Sequence, residues 1–205
     1  MALRIDNVAS KPEYAALIEQ RRQDVCAELE RILASTAEFL WEVGSGHGHF
    51  LTAYAAAHPA KTCVGIDVVS ERVERALRKR DRARLGNLHF LRAEARLFLQ
   101  SLPRAAQISD VFILFPDPWP KLRHHKHRVL QPDFLDELAG HAAANCRMYF
   151  RTDYRPYFEE ARAVVRDSMH WQLLEAAWPF EFETVFQARA VQHDSFVATL
   201  RRAAP

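Results

Sequence analysis

This 205-residue sequence predicts a doubly wound α/β domain, with a mostly parallel seven-stranded sheet and helices on both faces. Three observations predict it. Short apolar runs alternate with longer helical patterns along nearly the whole chain. The runs are apolar almost throughout, the mark of strands covered on both faces. Open α/β sheets bind ligands at the carboxyl ends of their strands, here just after Val43, Asp67, Arg92, Phe115 and Thr152, where glycines, prolines and acids gather.

The elements follow in order. Residues 12 to 34 read as a helix, with Ser10 as a candidate cap and Pro12 in the first turn. "EFLWEV" (38–43) reads as a buried strand stopped by Gly44, and the Ala-rich residues 49 to 57 as a helix. "TCVGID" (62–67) is a second strand, after which Ser70 is placed to cap "ERVERALRKRDRARL". "LHFLR" (88–92) is a third strand, followed by a short helix, and "DVFILF" (110–115) a fourth. Residues 132 to 144 read as helical, "RMYFRT" (147–152) as a fifth strand and residues 156 to 168 as a helix. Two strands joined by a loop are expected from Trp171 onward. With no linker, repeat or low-complexity segment, the reading is one domain over 1–205, with residues 1–34 a helical extension packed on it.

Composition narrows the class. Apolar residues are 49% and charged residues 26%, as in ordinary globular proteins. The net charge of +2 does not by itself announce a nucleic-acid partner, so clustering has to carry that case. Cys26, Cys63 and Cys146 are odd in number and far apart, which suggests neither a zinc site nor a disulfide framework. The first residues, MALRIDNVASKPEY, lack the apolar stretch of a signal peptide, and no apolar run reaches membrane-spanning length. The expectation is a cytoplasmic protein without a membrane partner, monomeric or weakly dimeric.

Candidate chemistry sits at the strand ends. "EVGSGHGHF" places Gly44, Gly46 and Gly48 after the first strand, where glycine lets the backbone turn tightly and a ligand approach it. A dinucleotide fingerprint has its last glycine where this chain has His49, which disfavours a nicotinamide cofactor. Asp67 ends the second strand, where a carboxylate can accept both hydrogen bonds of a ribose diol. Glu94 follows the third strand; it can receive an adenine amino group, or be only a first-turn acid. No phosphate-binding loop is present, so a nucleoside cofactor without polyphosphate fits, and S-adenosylmethionine is the economical candidate. Glu42 is placed to meet its ammonium group.

The fourth strand runs into "LFPDPWPKLRHHKHRVL". Pro116, Pro118 and Pro120 each fix φ and restrict the residue before them. Phe115, Asp117 and Trp119 are therefore predicted to be extended, with Asp117 and Trp119 on one side as a platform for a planar base. Lys121, Arg123, Lys126 and Arg128 supply candidate phosphate contacts. His124, His125 and His127 lack flanking carboxylates or cysteines at a regular spacing, so no metal is expected. Asp153, in "RTDY" after the fifth strand, is a helix cap or a substrate ligand.

Together, "EVGSGHGHF", "VGIDVVSERV", "FPDPWPKLRHHKHRVLQPDFL", "RTDY" and "TVFQAR" resemble the tRNA (guanine-N7)-methyltransferases. The resemblance covers nearly all the chain beyond about residue 35, and the proline-aspartate-proline-tryptophan segment is its most specific part. It implies a Rossmann-like class I methyltransferase that moves a methyl group from S-adenosylmethionine to N7 of a guanine in the variable loop of tRNA. It further implies cofactor contacts at Glu42, Asp67, Glu94 and Asp117, and substrate contacts at Lys121, Asp153 and Thr184 to Gln187, with Arg189 close behind. By this reading Asp117 and Asp153 carry the catalytic role. Gln187 and Ala190 depart from the family's glutamate and glycine. Gln187 accepts a hydrogen bond but cannot balance a positive charge. Those two positions keep open a methyltransferase for another RNA or a small molecule, and a non-catalytic RNA-binding relative.

Overall fold

A computed structural model of the chain describes residues 12–34, 36, 38–182 and 192–201. Its elements are α1 (Pro12–Ile32), β1 (Glu38–Val43), α2 (His49–Ala57), β2 (Cys63–Asp67), α3 (Ser70–Ala83), β3 (Leu88–Arg92), α4 (Ala95–Gln100), β4 (Gln107–Leu114), α5 (Pro132–Ala139), β5 (Ala142–Thr152), α6 (Arg155–Asp167), β6 (Trp171–Leu174) and β7 (Asp194–Leu200). A short 3-10 turn occupies Leu122–His127.

The seven strands form one sheet in the order β3-β2-β1-β4-β5-β7-β6. Strands β1 to β5 pair in parallel, while β7 lies antiparallel between β5 and β6. The doubly wound, mostly parallel prediction therefore holds. The chain order reverses between β1 and β4, and the crevice above that point is where such sheets bind ligands.

Strand alternation splits the core in two. Phe39 and Trp41 face one layer, packed with Leu29, Phe98, Phe134, Tyr157 and Val165 from α1, α4, α5 and α6. Leu40 faces the other layer, with Phe50, Leu51 and Tyr54 of α2 and Val73 and Ala76 of α3. Two helices do not cover that second face. Trp178, Phe180 and Phe182, from the segment after β6, pack on its remainder beside Phe112 and Tyr149. Phe112 and Tyr149 stack at 4.7 Å, and Trp178 meets Tyr149 edge-on at 5.6 Å.

Several local expectations fail for identifiable reasons. Residues 142–144 belong to β5, not to the preceding helix, because Gly140 closes α5 and the Ile108 N–H bonds His141 O to open the β4–β5 ladder. Pairing overrides the helix preference of that alanine run. Ser70 does not cap α3; Val69 holds the N-cap place, and its amide donates to Asp67 Oδ1 at 2.9 Å. The Ser10 cap lies outside the described residues.

The extended reading of the proline segment is also corrected. Phe115 and Trp119, each preceding a proline, have φ of 49° and 44°. Proline bars its predecessor from the right-handed helical region. Both residues take the left-handed region instead of the extended one, at a cost of about 1–3 kcal/mol each. Strand alternation therefore says nothing about the relative directions of Asp117 and Trp119.

Among the described residues no helix is long and apolar enough to cross a membrane. Gly65, central in β2, leaves room for Leu51 of α2 and for the Phe90 ring of β3. A Cβ there would stand 2.8 Å from the Phe90 ring and 2.9 Å from Leu51 Cδ2. Gly65→Ala is expected to lower stability by about 1–3 kcal/mol through overpacking, read as a lower urea midpoint at unchanged slope.

Candidate active site

The carboxyl edge of the sheet carries the turn from β1 into α2. Gly44, Gly46 and Gly48 have φ of 72°, 55° and 69°, a region that side chains with a Cβ enter only under strain. At Gly48 a Cβ would also lie 2.6 Å from the Phe90 ring and 2.8 Å from Ala76, so this glycine seats α3 and β3 under the turn. At Gly44 and Gly46 an added Cβ would meet nothing within 4 Å. Those two leave main chain open toward the crevice.

Asp67, 4% exposed, ties this turn to β2. Its Oδ2 accepts the Gly46 N–H at 3.0 Å and its Oδ1 the Val69 N–H at 2.9 Å. Arg72 approaches Oδ2 at 3.6 Å. Each carboxylate oxygen keeps a second lone pair, so a sugar hydroxyl can still be accepted.

Glu42 lies one strand over, 3% exposed, between Gly65 of β2 and Phe112 of β4. Its Oε2 is buried without a hydrogen-bond partner. Burial, reinforced by the Asp67 charge, pushes its carboxyl up to about 8. A buried acid left without a partner leaves an acceptor that a donor from outside the fold can satisfy.

Glu94 is the N-cap of α4, where its Oε2 accepts the Arg96 and Leu97 amides, both at 3.2 Å. Glu94 is thus a helix cap rather than a first-turn acid, and its exposed side chain remains beside the β3 end. Asp117 is exposed in the proline segment after β4, and Asp153 is exposed after β5. Leu114 and Arg151 pair in register, so the two aspartates follow adjacent strand ends. Asp153 does not cap α6; the Tyr154 amide is taken by Thr152 Oγ1 at 3.2 Å. Trp119 is half-buried, with the His127 ring at 5.1 Å and the His124 ring edge-on at 5.7 Å. Lys121, Arg123 and Lys126 are exposed on the basic run. Thr184, Gln187 and Arg189 lie outside the described residues.

Arg128 departs from the expected phosphate role. Its side chain is 1% exposed and ion-paired with Glu160. It donates to Pro118 O at 2.9 Å and to Trp119 O at 3.4 Å, and stacks on the Tyr157 ring at 4.6 Å. His125 Nδ1 reaches the same Glu160 oxygen at 3.0 Å. Arg128 therefore clamps the strained proline segment from beneath. Glu160 was not singled out by sequence reasoning, although its place beside the Tyr157–Ala161–Val165 stripe of α6 signalled an acid near the core. Arg151 was missed as well. It is 5% exposed, pairs with Glu181 at 3.0 and 3.1 Å, and lies 3.9 Å from the Trp178 ring. Its carbonyl accepts the Phe115 amide at 2.8 Å. Among the described residues no group of three His, Cys, Asp or Glu could hold a metal ion.

Residues 36–192 match the family model Methyltransf_4, whose description is "Putative methyltransferase". The chain belongs to this family. Among its relatives are tRNA (guanine-N(7)-)-methyltransferases. That of Nitrosomonas europaea is 34% identical over 68% of this chain and 62% of its own length. That of Thiobacillus denitrificans is 30% identical over 74% of this chain and 66% of its own. The chain thus spans about six-tenths of the length of these curated relatives. The solved 16S rRNA methyltransferase KamB superposes with a TM-score of 0.62 at 20% identity, covering 86% of this chain and 94% of that one. The aminoglycoside resistance methyltransferase NpmB1 gives 0.59 at 18% identity, covering 86% and 93%. The site of this methyltransferase-family chain accordingly sits on a shared methyltransferase fold.

Two outcomes test the site's construction. Arg128→Lys keeps the charge but not the fork that spans two carbonyls and Glu160. It is expected to cost about 2–3 kcal/mol in urea unfolding, against at most about 0.5 for exposed Lys121→Gln. The second concerns Glu42. Unfolded, it ionises near 4.5; folded, it keeps its proton to about 8. Across that window the native state binds more protons, so its contribution to stability falls as pH rises, by at most about 1.4 kcal/mol per pH unit. Glu42→Gln should flatten the decline, so the variant gains on the wild type from pH 5 to pH 8 in parallel unfolding curves.

Proposed function

We propose that this chain transfers a methyl group from S-adenosylmethionine to N7 of a guanine in tRNA. What carries the reading is one sheet edge that joins an orphaned acid, Glu42, and a glycine turn open to a ligand with two exposed aspartates on the next strand ends. The activity named for its relatives supports the same reading.

The residues present fit that cofactor. Glu42 is suited to its ammonium group, Asp67 to the ribose hydroxyls and the free edge of Glu94 to the adenine, while Gly44 and Gly46 leave main chain within reach. Asp117 borders this half of the site. When bound, the cofactor supplies an electrophilic methyl on a cationic sulfur. Guanine N7 has a free lone pair, so the chain need not supply a strong base. Its task is to hold the base in line and to tolerate positive charge on the purine. Asp117 and Asp153, reading guanine N–H groups, serve both ends. Trp119 with its flanking histidine rings offers a face for stacking, and Lys121, Arg123 and Lys126 meet phosphates. Thr184, Gln187 and Arg189 complete the substrate side in this reading. The chain acts as one domain over 1–205, with residues 1–34 packed on it as an extension. It works as a monomer or weak homodimer in the cytoplasm, without a metal.

Incubation with labelled S-adenosylmethionine and bulk tRNA, followed by mass spectrometry of the nucleosides, is expected to yield 7-methylguanosine. Asp117→Asn preserves shape and removes charge. Its single-turnover rate should fall by roughly 10²–10³, with little change in tRNA affinity. Labelling of a different base, or an undiminished variant, would refute the assignment.

A further inference from the structure

The basic run at 121–126 lies on the β4 side of the crevice. A second concentration of charge lies on the β2 side. Residues 70–84 hold seven Arg or Lys against three acids, in a chain whose net charge is only +2. The burial of Val73 and Ala76 fixes the rotation of α3. Arg72, Arg75, Lys79 and Arg82 then recur at intervals of three, four and three residues, the spacing of one helix face. Ten residues of helix make this stripe about 15 Å long.

Two contacts orient the stripe. Arg72 reaches Asp67 at 3.6 Å, and Lys79 Nζ donates to His47 O, in the glycine turn, at 3.0 Å. The stripe therefore starts beside the proposed cofactor site and runs along its flank. It is poorly neutralised from within. Glu74 faces Arg78 and Asp81 faces Arg80, both off the stripe, and Glu71 makes no ion pair among the described residues. Arg75 and Arg82 are exposed and make no ion pair among the described residues. The neighbouring groups register the field. His47 is pushed below its ordinary range by burial and then by Arg75, Arg72 and Lys79. Lys79 is pushed down by burial and then by Arg82. A row of like charges repels itself, and a polyanion laid along it relieves that repulsion.

We infer that the Arg72–Arg75–Lys79–Arg82 stripe of α3 is a second phosphate track for the RNA substrate, on the opposite side of the crevice from Lys121 and Arg123. The inference rests on the proposed tRNA reading. It makes the substrate straddle the cofactor site, gripped on both banks.

Arg75→Gln with Arg82→Gln tests it, because neither residue belongs to the proposed cofactor or guanine site. Bulk tRNA binding is measured by filter retention over a salt series. The double variant should flatten the slope of log affinity against log salt by about 1.5–2 units. Arg78→Gln, off the stripe and facing Glu74, should leave it unchanged. Calorimetry with S-adenosylmethionine should show equal affinity in all forms, which also reports intact folding. A wild type that binds no tRNA would overturn both this inference and the proposed function. A steep wild-type slope that the double variant leaves untouched would overturn this inference alone. So would anionic vesicles capturing the wild type while tRNA does not compete.

Discussion

Asp67 is the residue on which the architecture of the site turns. Its two carboxylate oxygens hold two amides, one in the β1–α2 turn and one at the entry to α3. The β2 end is thereby joined to both helices of the second face. The three left-handed glycines can be read as a consequence. A turn tight enough to bring the Gly46 amide to Asp67 cannot be made by residues carrying a Cβ without strain. The same compactness buries Glu42 against Phe112, and Asp67 then adds its charge. One carboxylate thus fixes a backbone shape and raises a neighbouring acid. Such coupling is common where proteins store unfavourable electrostatics for use by a ligand.

The proline segment solves a different problem by similar means. Two residues stand in the left-handed region without being glycine. Something has to hold them there: the Phe115 amide bonds the Arg151 carbonyl, and the buried guanidinium of Arg128 holds the Pro118 and Trp119 carbonyls. Glu160 neutralises that guanidinium, Tyr157 covers its face, and His125 shares the carboxylate. Local strain is balanced by a network that reaches α6, which explains why this helix matters to a loop it does not adjoin in sequence.

Much of this was legible beforehand. The strand ends could be found because their chemistry is local: an apolar run must stop, and Gly44, Asp67 and Pro116 mark where. The parallel order follows from runs such as "DVFILF" that have no polar face. What was not legible depends on partners distant in sequence. Arg128 looks like its exposed neighbours Arg123 and Lys126 until Glu160 and Tyr157 come beneath it. The alanines at 142–144 favour a helix until Ile108 offers a ladder. Pre-proline residues read as extended because that region is the commoner one, and the partners of the rarer choice, Arg151 for Phe115 and Arg128 for Trp119, are distant in sequence.

The uneven covering of the sheet has its own consequence. One face is sealed by four helices, and the other by two helices and a patch of rings from Trp178, Phe180 and Phe182. A helix is hard to exchange, because its whole length must refit the strands below. A stretch anchored by three aromatic side chains can be lengthened, shortened or reseated while the ladder beneath stays the same. The part of the sheet under the rings, at Phe112 of β4 and Tyr149 of β5, can therefore be re-covered at less structural cost than the part under α2 and α3. One sheet can thus keep its glycine turn and Asp67 fixed while the cover over Phe112 and Tyr149 is reshaped.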